Sequence, residues 1–264
     1  MFDIILSSPG RVFMSIGSFE IYTYGVLMAV AVLLGVLISN SLANNSKIFL
    51  KDIFIELSPI LIVFGFLGAR LWYCSLNLQA YLLSPLNILN FRDGGLSIHG
   101  AILGGLCALL IYAKRKKTSL LRLCDYSTVG LALGQSIGRW GNFFNNEAFG
   151  YPTDTFVKLF IPYESRPQNF LENSYFHPTF LYESLADFCL FILLYYLISK
   201  KNLNSGVLTL LYLLVYSFIR YFIELLRVDS NFFILGLPFP AFVSIFLFVF
   251  SLLCLVVRVT KLHN

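Results

Sequence analysis

Seven stretches of this chain each hold about twenty mostly apolar residues, the length that carries an α-helix across a bilayer. They fall near residues 21–43, 53–75, 96–113, 121–138, 178–198, 206–226 and 239–258. Hydrocarbon offers no hydrogen-bond partners, so a single apolar run can satisfy its backbone there only as a helix. The expected fold class is an all-α integral membrane protein with seven transmembrane helices in a single membrane domain, 1–264. Composition agrees, with 58% hydrophobic and 12% charged residues, against about 25% charged in a soluble domain. The connections are short except for 139–177. That stretch carries Pro152, Pro162, Pro167, Asp154, Lys158, Glu164 and Arg166, and reads as a small extracytoplasmic head between spans four and five. No lysine-rich start precedes a short apolar run, so no cleaved signal peptide is expected. Cys74, Cys107, Cys124, Cys189 and Cys254 lack CxxC spacing, which excludes a zinc-finger or disulfide framework as the basis of the fold.

Lysine and arginine in short loops set orientation. Lys47 and Lys51 follow span one, and Lys114, Arg115, Lys116, Lys117 and Arg122 follow span three. Lys200 and Lys201 follow span five, and Arg258 and Lys261 follow span seven. With seven spans these residues share one side, the cytoplasm, and the C-terminus lies there. The N-terminus and the head are then outside. Among the basic residues left for the outside, Lys158 is the only lysine and the rest are arginines, a bias that assigns those arginines specific work.

Polar groups are costly in a membrane and concentrate where there is function. Here they share one depth, the outer headgroup layer and just below it. Tyr24 opens span one, Arg70 lies near the outer end of span two and His99 stands one turn into span three. Arg139, Asn142, Asn145 and Glu147 follow span four, and His177 opens span five. Arg220 lies about 9 Å inside the end of span six, with Arg227 at that end. Arg220, Glu224 and Arg227 have i, i+4, i+7 spacing and so share a helix face, where the glutamate can hold both guanidiniums. Arginine forks bind phosphate bidentately. The glycines of GRWGNFFNNEAFG, residues 138–150, permit close backbone approach. A phosphate-bearing lipid headgroup is the natural ligand. Glu183 and Asp187, four residues apart in span five, are expected to face inward and to pair with an arginine, Arg70 being the candidate.

The same residues carry a family resemblance. GRWGNFFNNEAFG resembles the signature of prolipoprotein diacylglyceryl transferases. Tyr24-Gly25, Gly68-Ala69-Arg70, DGGLSIHGAILGG at 93–105, HPTFLYES at 177–184 and RYFIELLR at 220–227 extend the match in order and spacing. One element departs: many members open the last span with Gly-Gln-hydrophobic-Ser, where this chain has Leu237-Pro238-Phe239-Pro240-Ala241. The resemblance implies transfer of a diacylglyceryl group from phosphatidylglycerol to the lipobox cysteine of a prolipoprotein, just after its signal helix. The products are a thioether and glycerol phosphate, and the setting is the bacterial cytoplasmic (inner) membrane. It further implies that Tyr24, His99, Arg139, Asn142, Glu147, Gly150, Arg220, Glu224 and Arg227 are the family's functional residues.

Residue chemistry then assigns roles. A thiol with a pKa of about 8.5 is mostly protonated at neutral pH. Attack on a glycerol carbon therefore needs a thiolate and a stabilised phosphate leaving group. Arg139 and Arg220 are expected on the phosphate, and His99 is expected as the base for the thiol or as a polariser of the headgroup. Tyr24 is expected to touch headgroup or acceptor. Asn142, Asn145, Glu147, Gly150, Arg70, Glu224 and Arg227 are expected to bind substrate or hold the arginines. No metal, cofactor or nucleic acid is called for, since His99, His177 and His263 make no ligand set. A small transporter for an anionic substrate is the competing class. It would need polar residues continuing to the cytoplasmic side, where the spans carry little besides Asp125 and Asp187.

Overall fold

The computed structural model describes residues 3–46, 48–90, 94–228 and 233–263. Lys47 and Asp93, and the side chains of Lys261 and His263, lie outside the described residues. The chain is mostly helical, and among the described residues six helices are long and apolar enough to cross a membrane. It divides into two compact units, one of Met1–Ile38 with Ser127–Asn264, the other of Ser39–Tyr126.

The elements run β1 (Ile4–Ser7), β2 (Val12–Ile16), β3 (Phe19–Tyr22), α1 (Thr23–Ser46), α2 (Ile53–Leu76), α3 (Leu78–Leu83), α4 (Ile98–Lys116) and α5 (Leu120–Asn145). There follow β4 (Val157–Phe160), β5 (Tyr175–Phe176), α6 (Thr179–Lys200), α7 (Val207–Leu226), β6 (Phe233–Ile234), β7 (Leu237–Pro238) and α8 (Phe239–His263). The short strands are an addition to the expected all-helical fold. β1 pairs in parallel with β4, and β4 antiparallel with β5. Ile4–Ser7 thus supply a strand to the segment between α5 and α6, through pairing that links positions more than 150 residues apart and leaves no local sequence signal.

In the first unit α5 packs along α1 through a row of small residues. A Cβ added at Gly35 would lie 2.9 Å from the carbonyl oxygen of Gly130. Gly134 faces Ala31, Gly138 faces Met28 and Gly141 lies under the Tyr24 ring. This close approach is how helices associate where lipid removes the hydrophobic drive. It also corrects a boundary. The sequence places the end of span four at 138, but α5 continues to Asn145, so Arg139, Asn142 and Asn145 are helical. Packing on α1 outweighs the weak intrinsic helix propensity of the glycines. The helix stops at Asn146, whose φ of 53° is a left-handed conformation that asparagine tolerates at a helix end. The segment between α5 and α6 packs around Phe143, Phe149, Leu159, Ile161, Phe176 and Phe180.

In the second unit α2 and α4 interlock glycine on glycine. A Cβ at Gly100 would collide with the Gly68 carbonyl and Trp72, and one at Gly104 with the Phe64 carbonyl. The turn into α2 is fixed by side chains. Asp52 accepts Nδ2 bonds from Asn40 and Asn44, both at 2.9 Å, while its own N–H donates to Asn44 Oδ1 at 2.8 Å.

Candidate active site

Four helix ends in the first unit bring the site together: the start of α1, the end of α5, the first turns of α6 and the last turns of α7. Glu183 on α6 is the hub. Its Oε1 lies 2.5 Å from Arg139 Nη2, and its Oε2 lies 3.2 Å from Arg220 Nη1. Arg220 Nη2 reaches Glu224 Oε2 at 2.5 Å, and Arg227 Nε lies 3.9 Å from that same oxygen. Acid and base alternate along this line, Arg139–Glu183–Arg220–Glu224–Arg227. Only 2% of either glutamate side chain is exposed, against 13–19% for the three arginines. The carboxylates are therefore the buried anchors, and the arginine side chains are the more exposed partners. Three positive groups stand against two negative ones. Such a cluster attracts a monoanion, and its buried carboxylates keep the forks aimed.

Tyr24 adjoins this line. Its ring covers Gly141, two residues after Arg139 on α5, with no room for a side chain between ring and helix. Tyr24 also lies within electrostatic reach of Arg139 and Glu147. Glu147 takes Nδ2 bonds from Asn142 at 2.9 Å and Asn145 at 3.3 Å. The sequence assigned Glu147 to orienting the arginines. Instead it gathers two asparagines at the end of α5, and Glu183 holds Arg139. Asp187 is fully buried one turn further along α6. It sits within electrostatic reach of Arg139 and Arg220, and neither of its oxygens has a hydrogen-bond partner among the described residues.

Gly150 is packed between the start of α6 and the end of α7. Its N–H donates to the His177 carbonyl at 2.9 Å. An added Cβ would meet His177 Cβ and the Leu226 carbonyl, each at 2.8 Å. Ala148, just before it, holds a φ of 56°, strained for a side-chain-bearing residue. Its carbonyl accepts the buried Thr179 hydroxyl at 2.6 Å. This close packing accounts for a glycine at 150 without any substrate contact.

A family model described as prolipoprotein diacylglyceryl transferase matches residues 11–257. The chain belongs to this family. Among its relatives, a phosphatidylglycerol–prolipoprotein diacylglyceryl transferase of Synechococcus elongatus is 46% identical over 229 residues, covering 85% of this chain and 79% of the relative. One of Prochlorococcus marinus is 40% identical over 274 residues, covering 94% and 92%. One of Nostoc is 45% identical over 231 residues, covering 86% and 81%.

Within this transferase the remaining residues named from sequence, Arg70 and His99, lie in the second unit. His99 is exposed on the first turn of α4. Arg70 is 4% exposed and directs its guanidinium at backbone carbonyls of the segment before α4. Two expectations change. Glu183 pairs with Arg139 and Arg220 rather than with Arg70, because the helix ends that meet it are those of α5 and α7. Glu183 itself was missed as a member of the site. The signal available was its place in HPTFLYES, two residues after Leu181, on the turn that follows the proline start of α6. In the departing segment before the last helix, Phe233–Ile234 and Leu237–Pro238 form a tight hairpin. Leu235 and Gly236 occupy its turn at φ 50° and 79°, and Pro240 falls in the first turn of α8, where a missing N–H costs nothing.

Proposed function

We propose that this chain transfers the diacylglyceryl group of phosphatidylglycerol to the lipobox cysteine thiol of a prolipoprotein. The observation that carries the reading is the pairing of Arg139 and Arg220 on one buried carboxylate, in a chain of this family. A guanidinium has five N–H donors. Arg139 uses donors on Glu183 and Tyr216, and Arg220 uses two on Glu183 and Glu224, so each guanidinium keeps donors for a phosphate.

The step is a displacement at carbon. The thiolate sulfur attacks the glycerol carbon that carries the phosphate ester. A C–S bond forms as the C–O bond breaks, and the electron pair leaves on the phosphate oxygen of glycerol phosphate. Arg139 and Arg220 offset the charge that develops there. His99 takes the thiol proton, and Tyr24 contacts headgroup or acceptor. Asn142 and Asn145 act with Glu147 at the end of α5, and Glu224 and Arg227 extend the arginine line. The nucleophilic sulfur belongs to the acceptor.

The setting is a bacterial inner membrane crossed seven times, with α5 as the additional span. About 26 helical residues reach about 39 Å, and α5 has that length, though Arg122, Asp125 and Arg139 lower its apolarity. The head, 139–177 by sequence and 146–178 by its helical limits, then lies outside with the N-terminus.

The test is purified protein with phosphatidylglycerol and a lipobox peptide. The peptide should gain the mass of one diacylglyceryl group, in a linkage that resists hydroxylamine because a thioether has no acyl carbon. Arg139→Lys and Arg220→Lys each keep a charge but lose the fork, and should slow transfer about 10²- to 10³-fold. A labile product would mean acyl transfer. Full activity in either variant would remove that arginine from the phosphate.

A further inference from the structure

We propose that Arg70 is a positioning residue, one that fixes the segment presenting His99 at the start of α4. The inference rests on the reading of His99 as the base. Arg70 Nε donates to the carbonyl of Ile88 at 2.9 Å. Its Nη1 donates to Gly94 at 2.9 Å and Gly95 at 3.0 Å, and its Nη2 to Asn87 at 2.6 Å and Asn90 at 2.7 Å. All five N–H groups of the guanidinium thus go to main-chain carbonyls, on two stretches of the chain, 87–90 and 94–95. The Tyr81 ring lies 5.4 Å from its carbon. The neighbouring Ala69 carbonyl accepts the N–H of Ser97 at 3.0 Å. Two consecutive residues of α2 therefore hold 94, 95 and 97, and α4 begins at Ile98 with His99 next.

The segment needs this hold. Gly94 and Gly95 sit at φ 83° and 76°, and glycine gives up more backbone freedom on ordering than any other residue. A cation that binds five carbonyls from its own chain has no donor left to select an anionic headgroup. Lysine offers three donors from a point and cannot reproduce a planar fork spanning two stretches. A displacement of about 1 Å at a reacting group can cost about 10²-fold in rate, so loss of the clamp reads out in chemistry rather than in lipid affinity.

The experiment measures kcat, and KM for phosphatidylglycerol, with a lipobox peptide for Arg70→Lys, His99→Gln and the double variant. Arg70→Lys should lower kcat by about tenfold or more with KM within about twofold of the parent. It should add no further loss in the His99→Gln background. Gly95→Ala provides a second route should Arg70→Lys fold poorly. Its Cβ would run into Arg70 Nη1 and lie 2.9 Å from the Tyr73 ring, so it should give the same kinetic pattern. In both variants the amides of 94–97 should exchange hydrogen faster while α2 stays protected. A raised KM at unchanged kcat would make Arg70 a headgroup ligand and overturn the proposal, as would losses that multiply in the double variant. If His99→Gln alone keeps the parent rate, the assignment of the base fails and this proposal fails with it. If His99→Gln is slow but the losses multiply, only the proposal fails.

Discussion

At the residue scale, the arrangement of the arginines depends on a group that binds no substrate in the proposed reaction. Glu183 receives Arg139 at 2.5 Å and Arg220 at 3.2 Å with 2% of its side chain exposed. Replacing it with glutamine keeps the shape but leaves two guanidiniums facing a neutral amide. Removing one partner of a buried ion pair costs about 3–5 kcal/mol. Glu183→Gln should therefore lower the unfolding temperature and slow transfer together, in a thermal melt in detergent and the lipobox-peptide assay. A variant with parent stability and parent rate would show that the arginines are held by something else. Glu183 was legible in the sequence as an inward-facing acid, but its partners were not. Arg220 and Arg139 lie 37 and 44 positions away on two other helices, and no local spacing encodes that meeting.

At the element scale, glycines decide how closely helices approach. Adjacent residues give a controlled comparison. A Cβ at Gly104 would run into the Phe64 carbonyl, whereas one at Gly105 meets nothing within 4 Å. Gly104→Ala should force α2 and α4 apart at a cost of about 1–3 kcal/mol. Gly105→Ala should be neutral or raise stability by up to about 1 kcal/mol through helix propensity. Chemical denaturation of the two variants checks this, and equal melts would sink the glycine-on-glycine account. The turn between α1 and α2 has an acid limit instead. Hydrogen bonds from Asn40 and Asn44 hold the Asp52 carboxyl below the usual carboxylate range. A depressed pKa contributes stability that is present above the unfolded value, about 3.9. That contribution is lost as the pH falls through the folded value. Amides of 48–54 should therefore exchange faster on acidification below about pH 4. Asn40→Ala with Asn44→Ala should move that loss to higher pH, and an unmoved profile would mean the asparagines do not hold the carboxylate.

For the whole molecule, the reading with the widest consequences is topology. Loop lysines assign 200–205 to the cytoplasm and the head to the opposite side. Reporter fusions at Asn204 and Glu164 should give opposite signals, and equal signals would undo both the seven-span layout and the shared depth of the polar residues. Much of the fold was readable without coordinates, because lipid forces each apolar run into a helix. The runs expected at 53–75, 178–198 and 206–226 meet helices at Ile53–Leu76, Thr179–Lys200 and Val207–Leu226. The polar motifs could likewise be found in the sequence, since costly residues in an apolar chain stand out against it. The sequence could not say which charge meets which, because ion pairs form between helix ends brought together by packing. Nor did it place the end of α5, where contact with α1 keeps a glycine-rich segment helical to Asn145. The parallel pairing of Ile4–Ser7 with Val157–Phe160 was hidden for the same reason. Local composition fixes helices in lipid, whereas a fork held on a carboxylate, a clamp on a loop and a strand paired across the chain exist only once distant segments meet.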